Sequence, residues 1–416
     1  MTRADHPRKD RSGDAAPGGP GSPPGIAGAD QRHGLSGVDP DVLRAWMVGA
    51  GQPGYRADQL RDALWGGRVA SLDDARTLPT ALRGRIDAAF RFDTIIETDI
   101  MLADDGRTER ALHLLSDGVL VESVLMHYPA RADRRERDTL CISSQAGCAV
   151  GCPFCATGEL GLERDLETAE IVDQVRAAAR RLMANGRRLT NIVFMGMGEP
   201  FLNLDRVLAA AEAITDPRRF GLGARHITLS TSGVVPGIRR LTDIAPQYTL
   251  AVSLHAARDP LRDVLVPLNR RWPVAAVVDA ASGYQATTGR RVSYEYVMID
   301  RVNDTYEDAT ALVALLRGRS AHVNLIPMND VAHTPWRASP LDRIDAFAEV
   351  LRAAAIGTTV RRNRGQEVGA ACGQLAAERS GQPAAPVVAR RRALLVEASA
   401  RALRGERAPA RTERGQ

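Results

Sequence analysis

Lysine is all but missing from this chain: Lys9 is the only one, so its positive charge is carried by arginine. Aromatic residues make up 4% of the sequence, and there are five cysteines. No apolar run approaches the ~18 residues that a membrane-crossing helix needs, so no membrane partner is expected. The stretch from Met1 to Gly37 has no apolar core of a secretory signal. Five cysteines, odd in number and mostly clustered, do not make a disulfide framework. They suit a reducing cytoplasm and thiols reserved for metal or catalysis. The net charge of +5 is a mild pointer to nucleic acid, and arginine suits phosphate recognition, although genome composition explains the same bias.

Residues 1–36 are rich in Pro, Gly, Asp and Arg and poor in large apolar side chains, so they are expected to form a disordered tail. A basic tail is expected after residue 376, with a short helix possible from Val387 to Leu403. Between 37 and 93, Val42, Leu43, Trp46 and Met47, then Leu60 and Leu64, then Leu82 and Ile86 recur at helical spacing, giving a small helical domain studded with arginine. Residues 94–138 read as three strands joined by Asp105-Gly106 and Asp117-Gly118 hairpin turns, followed by a charged linker. From 139 to 375, about seven short apolar runs alternate with amphipathic helices. Such alternation implies a parallel sheet wrapped by helices: an α/β architecture, an open or nearly closed βα barrel. Unusual polar loops follow several of these strands, where barrels carry their chemistry: Cys148–Cys155, Gly196–Glu199, Ser230–Gly233, Ser253–His255 and Pro327–Asn329.

Cys148, Cys152 and Cys155 form C-x3-C-P-F-C. Zinc sites favour paired C-x2-C knuckles, and no second knuckle exists. An iron–sulfur cluster normally takes four cysteines, so three leave one iron open to a ligand. Zinc and unliganded core thiols are the alternatives that spacing alone leaves standing.

C-x3-C-x-Φ-C after a first strand, with Phe154 as the aromatic, resembles the radical S-adenosylmethionine superfamily. The chain goes further. Cys141–Cys148, Gly196–Pro200, Ser230–Pro236, Ser253–Ala256 and Ala371–Leu375 resemble the dual-specificity RNA methyltransferases that modify C2 of adenine in large-subunit (23S) ribosomal RNA and in tRNA. The likeness spans roughly residues 40–376, and Tyr55–Gln59 and Leu78-Pro79 fit that family's helical domain. The resemblance implies a partial (βα)6-type barrel, a 4Fe–4S cluster on Cys148, Cys152 and Cys155, and S-adenosylmethionine held by Gly198, Glu199, Ser230, Ser253, Leu254, His255 and Asn329.

It also implies the chemistry. C2 of adenine is electron-poor and cannot attack a methyl sulfonium, so a radical route is needed, and the cofactor supplies it. In the family scheme Cys372 is methylated first and then crosslinks to the RNA. Glu122 removes the C2 proton, and Cys141 attacks the Cys372 sulfur, leaving a disulfide. An electron donor such as flavodoxin or ferredoxin is implied, and a monomer is the default expectation.

Each residue also has an ordinary reading. Cys372 and Cys141 suit buried structural thiols, Glu122 an exposed strand carboxylate, His255 a satisfied polar residue at a strand end, and Asn329 a turn former. Arg361, Arg362 and Arg364 and the arginines of the helical domain suit either phosphate binding or a solvated face. The rival activities are a C8-specific adenine methyltransferase and a non-enzymatic iron–sulfur RNA sensor.

Overall fold

A computed structural model describes residues 30, 32–67, 69–132, 135–331, 333–361, 364–371, 373–375 and 385–407, with side chains of the last segment from Arg390 onward. The N-terminal helical unit is built from β1 (His33–Gly34), α1 (Pro40–Gly49), α2 (Tyr55–Trp65), α3 (Thr80–Ala89) and β2 (Phe90–Arg91). Asp39 starts α1 by accepting from the Asp41 backbone N–H at 2.8 Å, and Pro40 presets the first helical φ. Leu43, Met47, Leu60, Leu64, Leu82 and Ile86, the stripes read from the sequence, meet in one core.

The helical unit reaches further toward the N-terminus than the sequence suggested. Leu35 and Ser36, assigned there to the tail, are buried. Their packing comes from pairing β1 with β2, some 57 residues away in register (His33 with Phe90), which no local pattern announces.

β3 (Ile95–Ala103), β4 (Thr108–Leu115) and β5 (Leu120–Tyr128) form an antiparallel meander. Asp104, Asp105 and Gly106 turn the first hairpin with positive φ, and Gly118 turns the second. β6 (Arg137–Cys141) lies antiparallel to β5. After it comes a two-stranded clasp of β7 (Gln145–Gly147) and β8 (Leu162–Asp165). β9 (Asn191–Phe194) then pairs parallel to β6, and β10 (Ile227–Thr231), β11 (Thr249–Ser253), β12 (Val292–Met298), β13 (Ala321–Pro327) and β14 (Gly357–Val360) follow in parallel. The hairpin region is therefore no separate unit. It continues the barrel sheet through β6, in the order β14-β13-β12-β11-β10-β9-β6-β5-β4-β3. Strand pairing across a sheet is a long-range choice that alternation within one strand does not record.

The intervening helices are α4 (Ala156–Leu160), α5 (Thr168–Ala184), α6 (Leu204–Thr215), α7 (Val235–Ile244), α8 (Asp259–Leu265), α9 (Val274–Thr288), α10 (Tyr306–Leu316) and α11 (Leu341–Ala353). Their apolar faces join the sheet in the main core, which includes Leu140, Ile192, Phe194, Leu229, Leu250 and Leu325. Within the basic C-terminal segment the helix read from Val387 to Leu403 forms α12 (Ala385–Leu403), so this stretch departs from the disordered tail expected. Leu395, Ala398 and Ala402 seat against Val150, Leu261 and Val264, and Arg407 pairs with Asp259 at 3.2 Å and Asp263 at 3.3 Å. Among the described residues no helix is long and apolar enough to cross a membrane.

Candidate active site

The clasp of β7 and β8 pins both ends of the cysteine loop. The Cys148 N–H donates to the Gly161 carbonyl at 2.8 Å, and the Cys155 N–H donates to Cys152 at 3.1 Å, just before α4. Burial pushes all three thiols up: Cys148 to about 12, Cys152 and Cys155 above their ordinary value. For Cys152 the next causes are repulsion by Cys148 and Cys155, so the three sulfurs feel one another. Partial burial and mutual repulsion disfavour three thiolates here unless a cation sits among them, and a metal cluster is such a cation. Among the described residues no three His, Cys, Asp or Glu side chains converge as a single ion would need. A cluster spreads its ligands over several irons, so this donor set suits it better than zinc.

Around the loop stand the residues of the strand-end turns. Gly198 has φ +102°, and a Cβ there would lie 2.5 Å from the Gln145 side chain, so only glycine fits. Glu199 is buried, and its carboxylate is already committed. It accepts from Ser232 N at 2.6 Å, Ser232 Oγ at 2.7 Å and Phe201 N at 3.0 Å. Burial raises its pKa against the pull of these donors. Its own N–H donates to Gln145 Oε1 at 2.8 Å.

The strand register carries Cys141 (β6), Ser230 (β10) and Ser253 (β11) to one face of the sheet, through the pairs Cys141–Val193, Val193–Thr228 and Ser230–Ala251. Leu254 is fully buried and its N–H donates to the Glu295 carbonyl at 2.9 Å. His255 has φ +60°, stacks edge-on against Phe154 at 4.9 Å, and accepts from Val297 N at Nδ1 (3.1 Å). That bond fixes the neutral tautomer with Nε2–H as the donor. Burial holds its pKa down at about 3. Asn329, on the loop after β13, accepts from Gln366 Nε2 at 2.7 Å.

Glu122 is not the exposed strand carboxylate that its sequence context allows. It is fully buried on β5 and held by a guanidinium fork: Arg110 Nε at 3.1 Å and Nη2 at 2.5 Å. Val124 pairs with Cys141, so Glu122, two residues along β5, shares the face on which Cys141 lies. Cys372 lies outside the described residues, as do Arg362 and Asn363. Its neighbours are described: Ala371 is buried, and the Gly373 carbonyl accepts from Ala156 N, beside Cys155, at 2.7 Å.

The sequence reading missed the residues that hold these turns together. Arg262 is wholly buried and donates to the carbonyls of Leu254 (2.9 Å), Ser232 (2.6 Å) and Ser253 (3.2 Å) and to Asn269 Oδ1 (2.9 Å). Desolvation lowers its pKa to about 10. Ser143 Oγ donates to the Glu122 carbonyl at 2.6 Å and accepts from Met197 N at 2.8 Å, tying β5 to the glycine turn. An arginine within Leu261-Arg-Asp-Val264 was the available signal, but it reads as an ordinary surface residue of an amphipathic helix. In the helical domain Arg44 and Arg61 pair with Asp58, Arg56 donates to Thr77 O, and Arg85 donates to Ala50 O, so much of that arginine is structural.

A sequence profile of the radical SAM superfamily matches residues 142–313, which contain the cysteine loop and three of the strand-end turns. The protein called "Probable dual-specificity RNA methyltransferase RlmN" in Frankia alni is 50% identical over 360 residues, covering 84% of this chain and 84% of that one. Its namesake in Corynebacterium diphtheriae is 49% identical over 333 residues, covering 79% of this chain and 89% of that one. The crystal structure of a radical SAM methyltransferase from Sphaerobacter thermophilus matches with a TM-score of 0.80 at 44% identity, covering 83% of this chain and 100% of that chain. With its half-buried cysteine loop, its polar strand-end turns and these relatives, the chain belongs to the dual-specificity RNA methyltransferase family of the radical SAM superfamily.

Proposed function

We propose that this enzyme methylates C2 of adenine in 23S ribosomal RNA and in tRNA, in the cytoplasm, through a methyl group carried on Cys372. Cys148, Cys152 and Cys155 hold the cluster. Gly198 and Glu199 meet the methionine amino end of S-adenosylmethionine, and Ser230, Ser253, Leu254, His255 and Asn329 meet its carboxylate, ribose and adenine. When bound, the cluster and S-adenosylmethionine together supply the methyl group and the radical chemistry.

The protein's own residues do the rest. Cys372 receives the methyl group and, after activation of that carbon, is joined through it to the adenine ring. The Glu122 carboxylate takes the C2 proton, and the adduct's unpaired electron passes back to the electron-transfer chain that feeds the site, leaving a closed-shell thioether for the next step. Cys141 then attacks the Cys372 sulfur. The S–S bond forms as the C–S bond breaks, its electron pair leaves with the carbon, and a proton completes the methyl group. A reductant of the thiol class restores both cysteines, and a small electron-transfer protein such as flavodoxin or ferredoxin feeds the cluster. The target base must be splayed out of its RNA to reach the site, with exposed arginine on phosphate.

The observation that carries this reading is the shared face of Glu122 and Cys141 beside a final loop whose Gly373 is bonded to the cysteine loop. Nucleoside analysis of reacted RNA tests it. We expect 2-methyladenosine; 8-methyladenosine alone would transfer the enzyme to the C8 reaction. No methylated base with fully loaded protein would leave the sensor reading standing.

A further inference from the structure

We propose that Arg110 is a positioning residue that keeps Glu122 ionised and ties it to the loop carrying Cys372. This inference rests on the reading of Glu122 as the proton acceptor.

Glu122 is fully buried, and a buried carboxyl left to itself favours its neutral form, which accepts no proton. Arg110 sits diagonally across the β4–β5 ladder, where Arg110 pairs with Val124 and Leu112 with Glu122. It spends Nε and Nη2 on the two carboxylate oxygens and its remaining nitrogen, Nη1, on the Val368 carbonyl at 2.7 Å. One guanidinium therefore spans the base and the final loop. That loop is fastened nearby as well: Gly365 N donates to Asp104 Oδ2 at 3.0 Å, and Ala370 N to Gly365 O at 2.8 Å.

Among the described residues, the strand register also places Cys141 on β6 and, through Leu112, exposed Asp99 on β3 on the face that carries Glu122, and the final loop carries Arg364 and exposed Glu367. Arg364 is directed elsewhere, donating to His127 O at 3.0 Å and stacking on Tyr128 at 4.3 Å. When Glu122 takes a proton, the fork loses much of its charge partner, but the Val368 bond keeps the guanidinium in place. The distance from base to Cys372 loop is then preserved through the proton transfer. A lysine reaches one of these partners but cannot fork across all three.

The test separates the two half-reactions in holoenzyme. Methylation of Cys372, read by mass spectrometry, needs no base and is expected to survive in Arg110→Met. Release of RNA from the crosslinked adduct, read on a denaturing gel, is expected to slow on the order of a hundredfold at neutral pH. It should recover in part as pH rises, because losing the guanidinium raises the pH at which Glu122 ionises. Arg110→Lys is expected to fall between the two. If Arg110→Met releases RNA at the normal rate with the normal pH profile, the proposal is wrong. It is equally wrong if methylation and release fall together with no change in pH profile, which is the mark of a merely structural residue. Should Arg110→Met fail to fold, Arg110→Lys decides: a pH profile and release rate like the parent's would refute the role. Glu122→Gln distinguishes the premise, since normal release in that variant would sink Glu122 as base whatever Arg110 does.

Discussion

The half of this protein proposed to bind the cofactors and the half proposed to carry the transfer are built on different principles. The cysteine loop lies within eight residues, and the cofactor turns come from successive strand ends, each with its own short motif. The superfamily match, residues 142–313, includes most of them, Asn329 excepted. The transfer residues fall outside it on both sides: Glu122 and Cys141 precede it and Cys372 follows it. Glu122 and Cys141 share a face only because the antiparallel meander β3–β5 is spliced onto the parallel sheet at β6, and the last loop is tied back to that meander by the bond from Arg110 to Val368. On the proposed reading, a general radical-generating barrel is given its particular reaction by an added sheet edge and a final loop.

That comparison can be broken most forcefully at Cys152. Cys152→Ala should abolish the iron–sulfur absorption band after anaerobic reconstitution and, with it, both Cys372 methylation and RNA methylation. Retention of the band, or bound zinc without iron, would overturn the metal assignment. Cys141→Ala should separate the halves. The cluster band and Cys372 methylation stay, turnover stops, and a covalent protein–RNA species accumulates; free turnover would remove Cys141 from the resolving step.

Arg262→Met probes the frame of the cofactor half. It strips three backbone carbonyls and Asn269 of their buried donor, and unfolding in denaturant should report a loss of about 3–5 kcal/mol. A change within experimental scatter would mean that the turns hold themselves. The smallest effect is expected furthest from the chemistry: Asp39→Ala removes the cap of α1 and should cost about 1 kcal/mol while leaving Cys372 methylation unchanged.

Local pattern made much of this legible. The hairpins turn at Asp105-Gly106 and Asp117-Gly118, and β10, β11 and β13 end in the polar loops read at Ser230–Gly233, Ser253–His255 and Pro327–Asn329. Leu35 was misjudged because it gains its stability from a distant partner, the helical core; the helix of α12 was legible, but its seat against α8 was not. Arg110 and Arg262 stayed hidden for a related reason. An arginine in a chain so rich in arginine carries no signal until its partners are known, and those partners are mostly backbone carbonyls and a carboxylate brought near by folding.

The sequence by itself determined the class of chemistry. Thiols at C-x3-C-x2-C spacing with Gly-x-Gly-Glu and Ser-x-His turns need only short stretches of chain, and short stretches are what sequence motifs encode. Only the tertiary structure decided that Glu122 is buried, that Arg110 forks onto it, and that the hairpins share the barrel sheet. Those facts depend on strand register and on the burial of charge. Both are set by contacts between residues far apart in the chain, where the energy of each pairing is realised only once the whole sheet has formed.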